Sequence, residues 1–435
     1  MGVASQHQDR VRTADRLLRE LFPICRSITG NGVRRSLGIL RDVVDFQTSE
    51  VPSGTQCFDW TIPDEWNVTD AFIADAAGRR VVDFRANNLH LVSYSEPVDR
   101  TMAFAELRPH LHSLPNRPDT IPYRTSYYRR TWGFCLSQRQ LDAMDQTGSY
   151  RVVIDTKLAA GSLTYGERLL RGTDGPEYLV STYCCHPSMA NDNLSGMIVW
   201  TLVLRELAEQ PTRNSYRFVV APETLGSIAY LARNADAMRR VAGGYVLSST
   251  GGPGPIGYMR TFRGDAIVDR AALLALRDRG GQFAEYPFRL GSDERNYSGP
   301  AWRIPIGTIC KDKYHHYPQY HSSDDDLSFV TAEALAETTA VYLEAIANLE
   351  RNRVYVSNAP PCEPQLGKRG LYPLLGGAQR PGVSHTESLL TNLFWADGEH
   401  PLIDVAERSG IAMSELAAAA EQLVGAGLLE ERPSH

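Results

Sequence analysis

Two of the side chains that could do chemistry lie on one short loop of the sequence. His186 and Asp192 fall within residues 185–196, a polar stretch between the apolar run 178–183 and an apolar helical pattern. An imidazole nitrogen and a carboxylate oxygen are both common ligands of Zn²⁺ in proteins. The sequence Asn191-Asp192-Asn193 could equally cap the N-terminus of the following helix. On these residues alone, a metal site and a helix cap are equally supported.

Three further acidic residues lie in stretches that follow apolar runs or turns. Glu223 comes shortly after the apolar run 218–220, and Asp293 and Glu294 lie together in the polar stretch 291–297. Glu223 could serve a catalytic site, or it could simply place negative charge at a helix N-terminus, where the helix dipole favours it. Asp293 and Glu294 could bind a substrate ammonium group, or they could pair with a neighbouring arginine. The sequence leaves both questions open.

A tyrosine and a histidine precede three consecutive carboxylates near the end of this region. Tyr320 and His321 are followed by aspartates at positions 324–326. His321 offers a further metal ligand, and the Tyr320 hydroxyl could donate a hydrogen bond to an oxyanion. The alternative is a solvated acidic loop that caps the next helix.

These four stretches are separated by segments whose hydrophobic pattern alternates from residue 177 onward. Short apolar runs predict strands, and longer segments with apolar residues at helical spacing predict helices. Strands are predicted at 178–183, 216–221, 245–248 and 304–310, and helices at 196–209, 226–241, 265–279 and 331–349. This alternation is typical of an α/β sandwich with a largely parallel sheet. Such sheets bind ligands at the carboxyl ends of their strands, and the stretches fall there.

The rest of the chain divides by composition. Residues 46–160 carry short β-rich runs between Gly, Pro and Asn, which predicts an inserted β domain. The catalytic α/β domain is then discontinuous, covering residues 1–45 and 161–352. Residues 353–383 are rich in Pro and Gly and predict a linker. Residues 384–435 carry three short helical patterns and a final turn and strand, which predicts a winged helix-turn-helix domain.

The predicted winged helix lacks the charge of a DNA-binding domain. Between residues 401 and 431 the only Lys or Arg is Arg408, against six carboxylates. Helices and wings that bind DNA use cations to contact phosphates. We therefore predict no nucleic-acid partner for this domain, and instead a role in packing or in contacts between copies of a homo-oligomer.

Composition excludes several other classes of protein. The chain has 435 residues, of which 43% are hydrophobic and 22% charged, and its formal net charge is −6. These values are ordinary for a soluble globular protein and differ from those of disordered or collagen-like chains. No run of 18 uncharged apolar residues predicts a membrane span, and residues 1–21 lack the apolar core of a signal peptide. We therefore expect a cytoplasmic protein without a membrane partner.

Taken together, the four polar stretches resemble the zinc-dependent aminopeptidases that have a co-catalytic metal site. That family carries, in order, a His, an Asn-Asp-x-x-Ser-Gly motif, a Glu pair before Gly-Ser, a Ser-Asp-His motif and a Tyr-His-Thr-x-x-Asp motif. The matching positions here are His186, 191–196, Glu223 with 226–227, 292–293, 320–322 and Asp325. Both their order and their positions at predicted strand ends agree with the family.

A closer resemblance covers nearly the whole chain. The stretches 21–30 (Leu-Phe-Pro-Ile-Cys-Arg-Ser-Ile-Thr-Gly), 51–55 and 58–60 are similar to a bacterial family of aminopeptidase-like proteins. Members of that family often resemble proteins encoded beside polysaccharide or natural-product biosynthesis genes. The resemblance implies a three-layer α/β/α sandwich of the zinc-aminopeptidase type, with an inserted β domain and a C-terminal winged helix.

The resemblance also implies a role for each matching residue. His186, Asp192 and His321 would bind zinc, as one ion or two, and Glu223 would be the general base or a further ligand. Glu223 stands alone where the family has a pair, and the loop 248–252 has no carboxylate where the family has an aspartate ligand. These departures leave three alternatives: a mononuclear zinc site, an altered site, or a site that has lost its activity.

The sequence therefore predicts a zinc-dependent aminopeptidase-like hydrolase that cleaves an amide bond next to a free amine. The substrate would be a small peptide or an aminoacylated metabolite. Zn²⁺ would polarise the scissile carbonyl and activate water, Glu223 would carry the proton of that water, and Tyr320 would stabilise the oxyanion. An amidase or deacylase of a biosynthetic intermediate is the alternative enzyme. A non-catalytic protein that keeps the fold and a transcriptional regulator are the alternatives from other classes.

Overall fold

A computed structural model describes residues 3–126, 129–277, 279, 283–288, 291–313, 315–371 and 385–432. Within these residues the α-helices are α1 (Val3–Leu21), α2 (Asn31–Arg41), α3 (Phe104–Leu107), α4 (Gln138–Asp142), α5 (Gly196–Leu207), α6 (Leu225–Arg233), α7 (Ala235–Met238), α8 (Ile267–Leu276), α9 (Glu294–Ser298), α10 (Ala332–Arg351), α11 (His385–Trp395), α12 (Leu402–Ser409) and α13 (Met413–Gly425). The strands are β1 (Gln47–Pro52), β2 (Gln56–Cys57), β3 (Trp60–Thr61), β4 (Glu65–Ala74), β5 (Arg80–Asp83), β6 (Val98–Ala103), β7 (Leu111–His112), β8 (Phe134–Cys135), β9 (Ser149–Ala159), β10 (Ser162–Leu170), β11 (Glu177–Tyr183), β12 (Ser215–Ala221), β13 (Val241–Leu247), β14 (Gly257–Met259), β15 (Phe283–Ala284), β16 (Ile306–Cys310), β17 (Val354–Ser357), β18 (Asp397–Pro401) and β19 (Leu429–Glu431).

An eight-stranded sheet forms the centre of the α/β domain. Its strand order is β1-β10-β12-β11-β13-β16-β14-β15. The four central strands β12, β11, β13 and β16 run parallel to one another. They are the four strands that the alternating pattern predicts, so the α/β class is confirmed. The outer strands β1, β10 and β14 make antiparallel pairs, which the sequence pattern did not indicate.

Helices cover both faces of this sheet and produce three layers. Successive residues of a strand point to opposite faces. Val180 of β11 therefore lies in the core formed with α1, α5, α8 and α10, whereas Leu179 lies in the core formed with α6 and α9. Phe218 and Val219 of β12 divide between the two cores in the same way. This arrangement is the predicted α/β/α sandwich.

A second sheet, of strand order β5-β4-β9-β6, forms the centre of the inserted domain and is antiparallel throughout. The structure places the start of this domain later than the predicted residue 46. Gln47–Pro52 pairs with β10 in the main sheet, so β1 belongs to the α/β domain. Only Val51 of this edge strand is buried. It therefore lacks the apolar alternation by which a strand of the main sheet could have been recognised.

Helix α1 packs on the α/β domain and not on the inserted sheet. Leu17, Leu18 and Leu21 lie in the core that α1 shares with α5 and α10. Arg10 makes a bidentate ion pair with Glu206 of α5, with both nitrogen–oxygen distances at 2.7 Å. These contacts join helix α1 to the α/β domain.

The C-terminal winged helix begins earlier than expected. Val354–Ser357 (β17), which begins three residues after the end of α10, pairs with both β18 and β19. The first residues of the predicted linker 353–383 are therefore part of this domain. The strand is only four residues long and lies beside a Pro-rich stretch, so composition did not reveal it. Residues 372–383 of that prediction lie outside the described residues.

Arginines of the α/β domain hold the winged helix in place. Arg270 of α8 makes ion pairs with Asp404 and Glu407 of α12. Arg277 donates hydrogen bonds to the backbone oxygens of Ala406 and Gly410, at 3.0 and 2.7 Å. Two of the six carboxylates between residues 401 and 431 therefore serve the contact of this domain with the α/β domain. Among the described residues, no helix is long and apolar enough to cross a membrane.

Candidate metal centre

The ends of two adjacent parallel strands bring His186 and Glu223 together. Tyr183 and Ala221 are the last residues of β11 and β12 and lie opposite each other in the sheet. His186 follows three residues after the end of β11, and Glu223 follows two residues after the end of β12. The distance between His186 Nε2 and Glu223 Oε2 is 3.6 Å. The register of the sheet thus places both side chains at its carboxyl edge.

Asp192 and His321 complete the group. Asp192 Oδ2 lies 2.8 Å from His321 Nε2 and 4.0 Å from His186 Nε2. The side chains of His186 and Asp192 are only 2% and 1% exposed, whereas that of His321 is 36% exposed. The four residues predicted to bind metal therefore converge in a centre that is buried on one side and open to solvent on the other.

Two atoms show that this group suits a metal ion. Among the described residues, Asp192 Oδ2 and His321 Nε2 are buried and make no hydrogen bond, although only 2.8 Å separates them. A buried polar atom without a partner costs about 1–3 kcal/mol, so proteins seldom keep two of them side by side. Zinc bonds of about 2.0–2.2 Å to nitrogen and oxygen would satisfy both atoms. His186, Asp192 and His321 therefore fit a metal ion as its three protein ligands, the number typical of catalytic zinc sites.

The electrostatics of the group agree with metal binding. Burial lowers the pKa of His186 to about 4, which keeps its imidazole neutral, the form that binds metals. Burial alone would raise the pKa of Asp192, but the nearby His186 and His321 outweigh it and hold that pKa below its usual range. Burial and the neighbouring carboxylates raise the pKa of Glu223 well above its usual value. A cation in the centre would offset this repulsion among carboxylates.

The segment at the start of α9 fixes Glu223. Ser292 Oγ donates a 2.7 Å hydrogen bond to Glu223 Oε1. Asp293 Oδ1 accepts hydrogen bonds from Thr224 N at 2.7 Å and from Ser227 Oγ at 2.8 Å. Asp293 thereby holds the turn that follows Glu223, and Ser292 holds the carboxylate itself.

Asp293 and Glu294 lie beside the centre but are turned into the protein. Each is only 1% exposed. Glu294 Oε1 accepts a 2.9 Å hydrogen bond from the backbone nitrogen of Ser292. Burial raises the pKa of Asp293 to about 7. This placement favours a role in shaping the Glu223 loop over the predicted contact with a substrate ammonium group.

Aromatic rings pack on the open side of the centre. The ring of Tyr320 stacks on that of His321, with 3.9 Å between centroids and 12° between planes. The ring of Tyr123, from the inserted domain, makes edge contacts with His186 and His321 at centroid distances of 5.5 and 5.3 Å. Tyr320 therefore packs against the ligand His321, and Tyr123 is a neighbour that sequence reasoning missed.

A segment of the inserted domain, residues 117–123, ties Tyr123 to the loop of His321, and we call it the strap. Arg117 Nη2 donates to Asp324 Oδ2 at 2.6 Å, and Thr120 Oγ1 donates to the same oxygen at 2.9 Å. Tyr123 N donates to the backbone oxygen of His321 at 3.0 Å. The inserted domain thus contributes directly to the position of a predicted metal ligand.

Two further buried residues hold the loop that carries His186 and Asp192. Arg26 is 1% exposed, and its Nε donates a 3.0 Å hydrogen bond to the backbone oxygen of His186. The carboxylate of Asp325 accepts from the backbone nitrogens of Asn191 and Asp192, at 2.6 and 2.9 Å. Both residues lie in stretches that resemble known families, but the sequence alone gave no role to either.

Comparison with known proteins supports the same architecture. Residues 15–352 match the family described as a domain of unknown function, DUF4910, and residues 353–431 match a winged helix-turn-helix family. A Clostridium acetobutylicum protein is 44% identical over 420 residues, which cover 95% of each chain. It is provisionally named as a polysaccharide biosynthesis protein with an aminopeptidase-like domain.

Solved structures extend this comparison. A crystal structure from Clostridium acetobutylicum, provisionally named a peptidase, is 41% identical, covers 99% of both chains and superposes with a TM-score of 0.91. A zinc aminopeptidase from Bacillus subtilis is 14% identical, covers 79% of this chain and 95% of its own, and superposes with a TM-score of 0.57. The latter likeness shows the fold alone. The chain therefore belongs to the DUF4910 family and has an aminopeptidase-like fold with a C-terminal winged helix.

Proposed function

We propose that the protein is a zinc-dependent hydrolase that cleaves an amide bond next to a free amine. Its substrate would be a small peptide or an aminoacylated metabolite. The observation that carries this proposal is the pair of buried atoms, Asp192 Oδ2 and His321 Nε2, which make no hydrogen bond among the described residues and lie 2.8 Å apart. A helix cap or a solvated acidic loop would not bring these atoms together inside the protein.

Each residue of the centre has a distinct task in this proposal. His186, Asp192 and His321 hold the zinc ion, which when bound polarises a carbonyl and lowers the pKa of water. Glu223 accepts a proton at Oε2, the oxygen nearer to His186, and returns it to the leaving amine. Tyr320, whose ring stacks on His321, donates a hydrogen bond from its hydroxyl to the oxyanion.

A second enzyme activity is supported by one comparison. The Clostridium acetobutylicum relative is named for polysaccharide biosynthesis as well as for its aminopeptidase-like domain. An amidase or deacylase of a biosynthetic intermediate would use the same centre and the same Glu223, but it would not require a free amine beside the scissile bond. The two activities therefore differ in substrate and not in chemistry.

The test is an assay on matched substrates with controlled metal content. The full chain is stripped with a chelator, reloaded with zinc, and assayed on a panel of aminoacyl anilides and their N-acetylated counterparts. We expect cleavage of the free-amine substrates that is lost on stripping and restored by zinc. Preference for the acetylated substrates would favour the amidase alternative. No cleavage of either set by the zinc-loaded protein would favour a non-catalytic protein that keeps the fold.

We further propose that the winged helix is a packing module and not a DNA reader. Its single cation between residues 401 and 431, Arg408, lies over the ring of Trp395 with 5.0 Å between guanidinium carbon and ring centroid. Asp404 and Glu407 form ion pairs with Arg270 of the α/β domain. Met413, the first residue of α13, lines a shallow pocket together with Leu274 and Asn348 of that domain. The end of the helix that would enter a DNA groove is therefore next to the α/β domain.

A further inference from the structure

The two carboxylate oxygens of Asp192 have different surroundings. Oδ2 faces His186 and His321 and makes no hydrogen bond among the described residues. Oδ1 lies 2.7 Å from the hydroxyl of Tyr183, which is buried. A carboxylate that bridges two metal ions through both of its oxygens offers one oxygen to each ion. Among the described residues, Oδ2 is therefore the oxygen of Asp192 that is free for a metal, whereas Oδ1 already accepts a hydrogen bond from Tyr183.

The chemistry of the hydroxyl groups fixes the direction of these hydrogen bonds. An ionised carboxylate has no proton, so Tyr183 gives its single hydroxyl proton to Asp192 Oδ1. The 2.7 Å contact between Tyr183 and Ser248 Oγ must then use the proton of Ser248. Ser248 Oγ also lies 3.4 Å from Ser249 Oγ. A chain of buried hydroxyls therefore occupies the Oδ1 side of Asp192.

The loop that reaches the Oδ1 side through Ser248 offers no carboxylate, imidazole or thiol ligand. The loop after β13, residues 248–252, carries three hydroxyl side chains and two glycines. Among the described residues, the two groups that could hold a metal both include His186, one with Asp192 and His321 and the other with Cys185 and Glu223. His186 Nε2 is the ring nitrogen that faces both carboxylates, and it has one lone pair. The two groups therefore cannot both use that nitrogen at once.

We propose that the centre holds a single metal ion, and that Tyr183, supported by Ser248, occupies the position where a second ion would have to bind Asp192. This inference rests on the proposed metal-dependent function and specifies its metal content. Tyr183 is then a positioning residue, since it turns Oδ2 of Asp192 toward the ion. With one ion, Glu223 is the carboxylate left to exchange protons with the substrate.

Measuring how many metal ions each chain binds tests directly whether the centre holds a single ion. The stripped full chain is titrated with Co²⁺, whose visible absorption reports ions bound by protein ligands, and zinc-loaded protein is analysed for metal after gel filtration. We expect the absorption to saturate at one equivalent and the zinc content to be one ion per chain. A second equivalent that adds to the absorption, with spin coupling between the two ions in electron paramagnetic resonance, would overturn the inference and leave the proposed function intact. Failure to bind any metal would overturn both.

Tyr183→Phe tests the positioning role without creating a large cavity. We expect roughly 10–100-fold weaker zinc affinity in competition with a chelator, the usual effect of losing a hydrogen bond to a metal ligand. The matched control is Tyr245→Phe, because Tyr245 is also a buried tyrosine and its hydroxyl donates to the backbone oxygen of Val268 at 2.8 Å. The control should lower thermal stability similarly but leave zinc affinity unchanged. Equal zinc affinities in the two variants would overturn the role of Tyr183.

Discussion

The hydroxyl of Ser292 donates a 2.7 Å hydrogen bond to Oε1 of Glu223, and the other oxygen of that carboxylate lies 3.6 Å from His186 Nε2. The two oxygens of Glu223 are thereby distinguished, one bound by the protein and the other directed at the centre. A carboxylate held in this way is suited to exchange a proton at a defined position. The same contact explains why a serine precedes the buried Asp293.

Glu223→Gln separates the two roles that the sequence left open for this residue. The substitution keeps the shape of the side chain but removes its basicity. If Glu223 is the base, we expect zinc content to stay normal and activity to fall by roughly 10²–10⁴-fold, the usual contribution of general base catalysis. Loss of zinc together with activity would identify a ligand instead. Full activity would contradict both roles, and metal analysis alongside kcat measurements distinguishes the outcomes.

Ser292→Ala removes the hydrogen bond that orients Glu223. Because Glu223 Oε1 then loses its donor, we expect kcat to fall by roughly 10-fold while zinc content is unchanged. Ser298→Ala is the matched control, since Ser292 and Ser298 are both 4% exposed and Ser298 donates instead to the backbone oxygen of Ile304, at 2.8 Å. Similar kcat values in the two variants would show that Ser292 acts only through stability.

Arg117→Ala loosens the strap that joins the inserted domain to the His321 loop. Arg117 contacts Asp324, Ser322 and the backbone oxygen of Pro318, all within three residues of His321. We expect several-fold weaker zinc affinity and lower kcat, with a loss of only about 1 kcal/mol in the free energy of unfolding, because the ion pair is partly exposed. Arg100→Ala, which removes an exposed ion pair with Glu106 in the same inserted domain but outside the strap, is the control. An equal loss of zinc affinity in the control would show that the strap does not specifically position His321.

The sequence predicts the central strands well because burial leaves a local signal. The run 178–183 has no charged side chain and becomes β11, where all six of its residues are buried. The edge strand β1 is mostly exposed and leaves no such signal. The hydrophobic pattern therefore identifies the strands that precede His186 and Glu223, but it does not identify β1, the strand at the domain boundary.

From the hydrophobic pattern alone, only those site residues that lie at strand ends could be predicted to come together. His186 and Glu223 follow β11 and β12, so parallel topology alone brings them together. Tyr123 reaches the centre from a different domain, and its contact depends on the packing of that domain. Nor does the sequence show which way Asp293 points, since the same polar stretch could face solvent or the core.

The winged helix gives a prediction about nucleic acid. We expect no measurable binding of duplex DNA to the full chain at physiological salt, because the domain has one cation and six carboxylates between residues 401 and 431. Fluorescence anisotropy with a labelled duplex of mixed sequence is the measurement. Tight binding that weakens steeply with added salt would contradict the charge argument.

A partly buried ion pair lies at the seam between the N-terminal helices and the inserted domain. Arg34 of α2 donates to both oxygens of Glu65 of β4, at 2.8 and 2.6 Å. Asn67 and the backbone nitrogen of Ser162 also donate to Glu65. The hydrogen bond from Arg34 is the main cause that lowers the pKa of Glu65 from 4.5 to about 2.

Glu65→Gln should therefore lower the free energy of unfolding by an amount that depends on pH. The folded state prefers the ionised carboxylate, so this stabilisation is fully present above about pH 4.5 and is lost as pH falls toward about 2. We expect the variant to be less stable than the original protein near pH 7 by about 1.5–3 kcal/mol, the range for hydrogen bonds to charged groups. The difference in melting temperature should shrink steadily between about pH 4.5 and the lowest pH at which both proteins fold. A difference that stays constant over that range would show that the Arg34–Glu65 pair does not stabilise the seam through its charge.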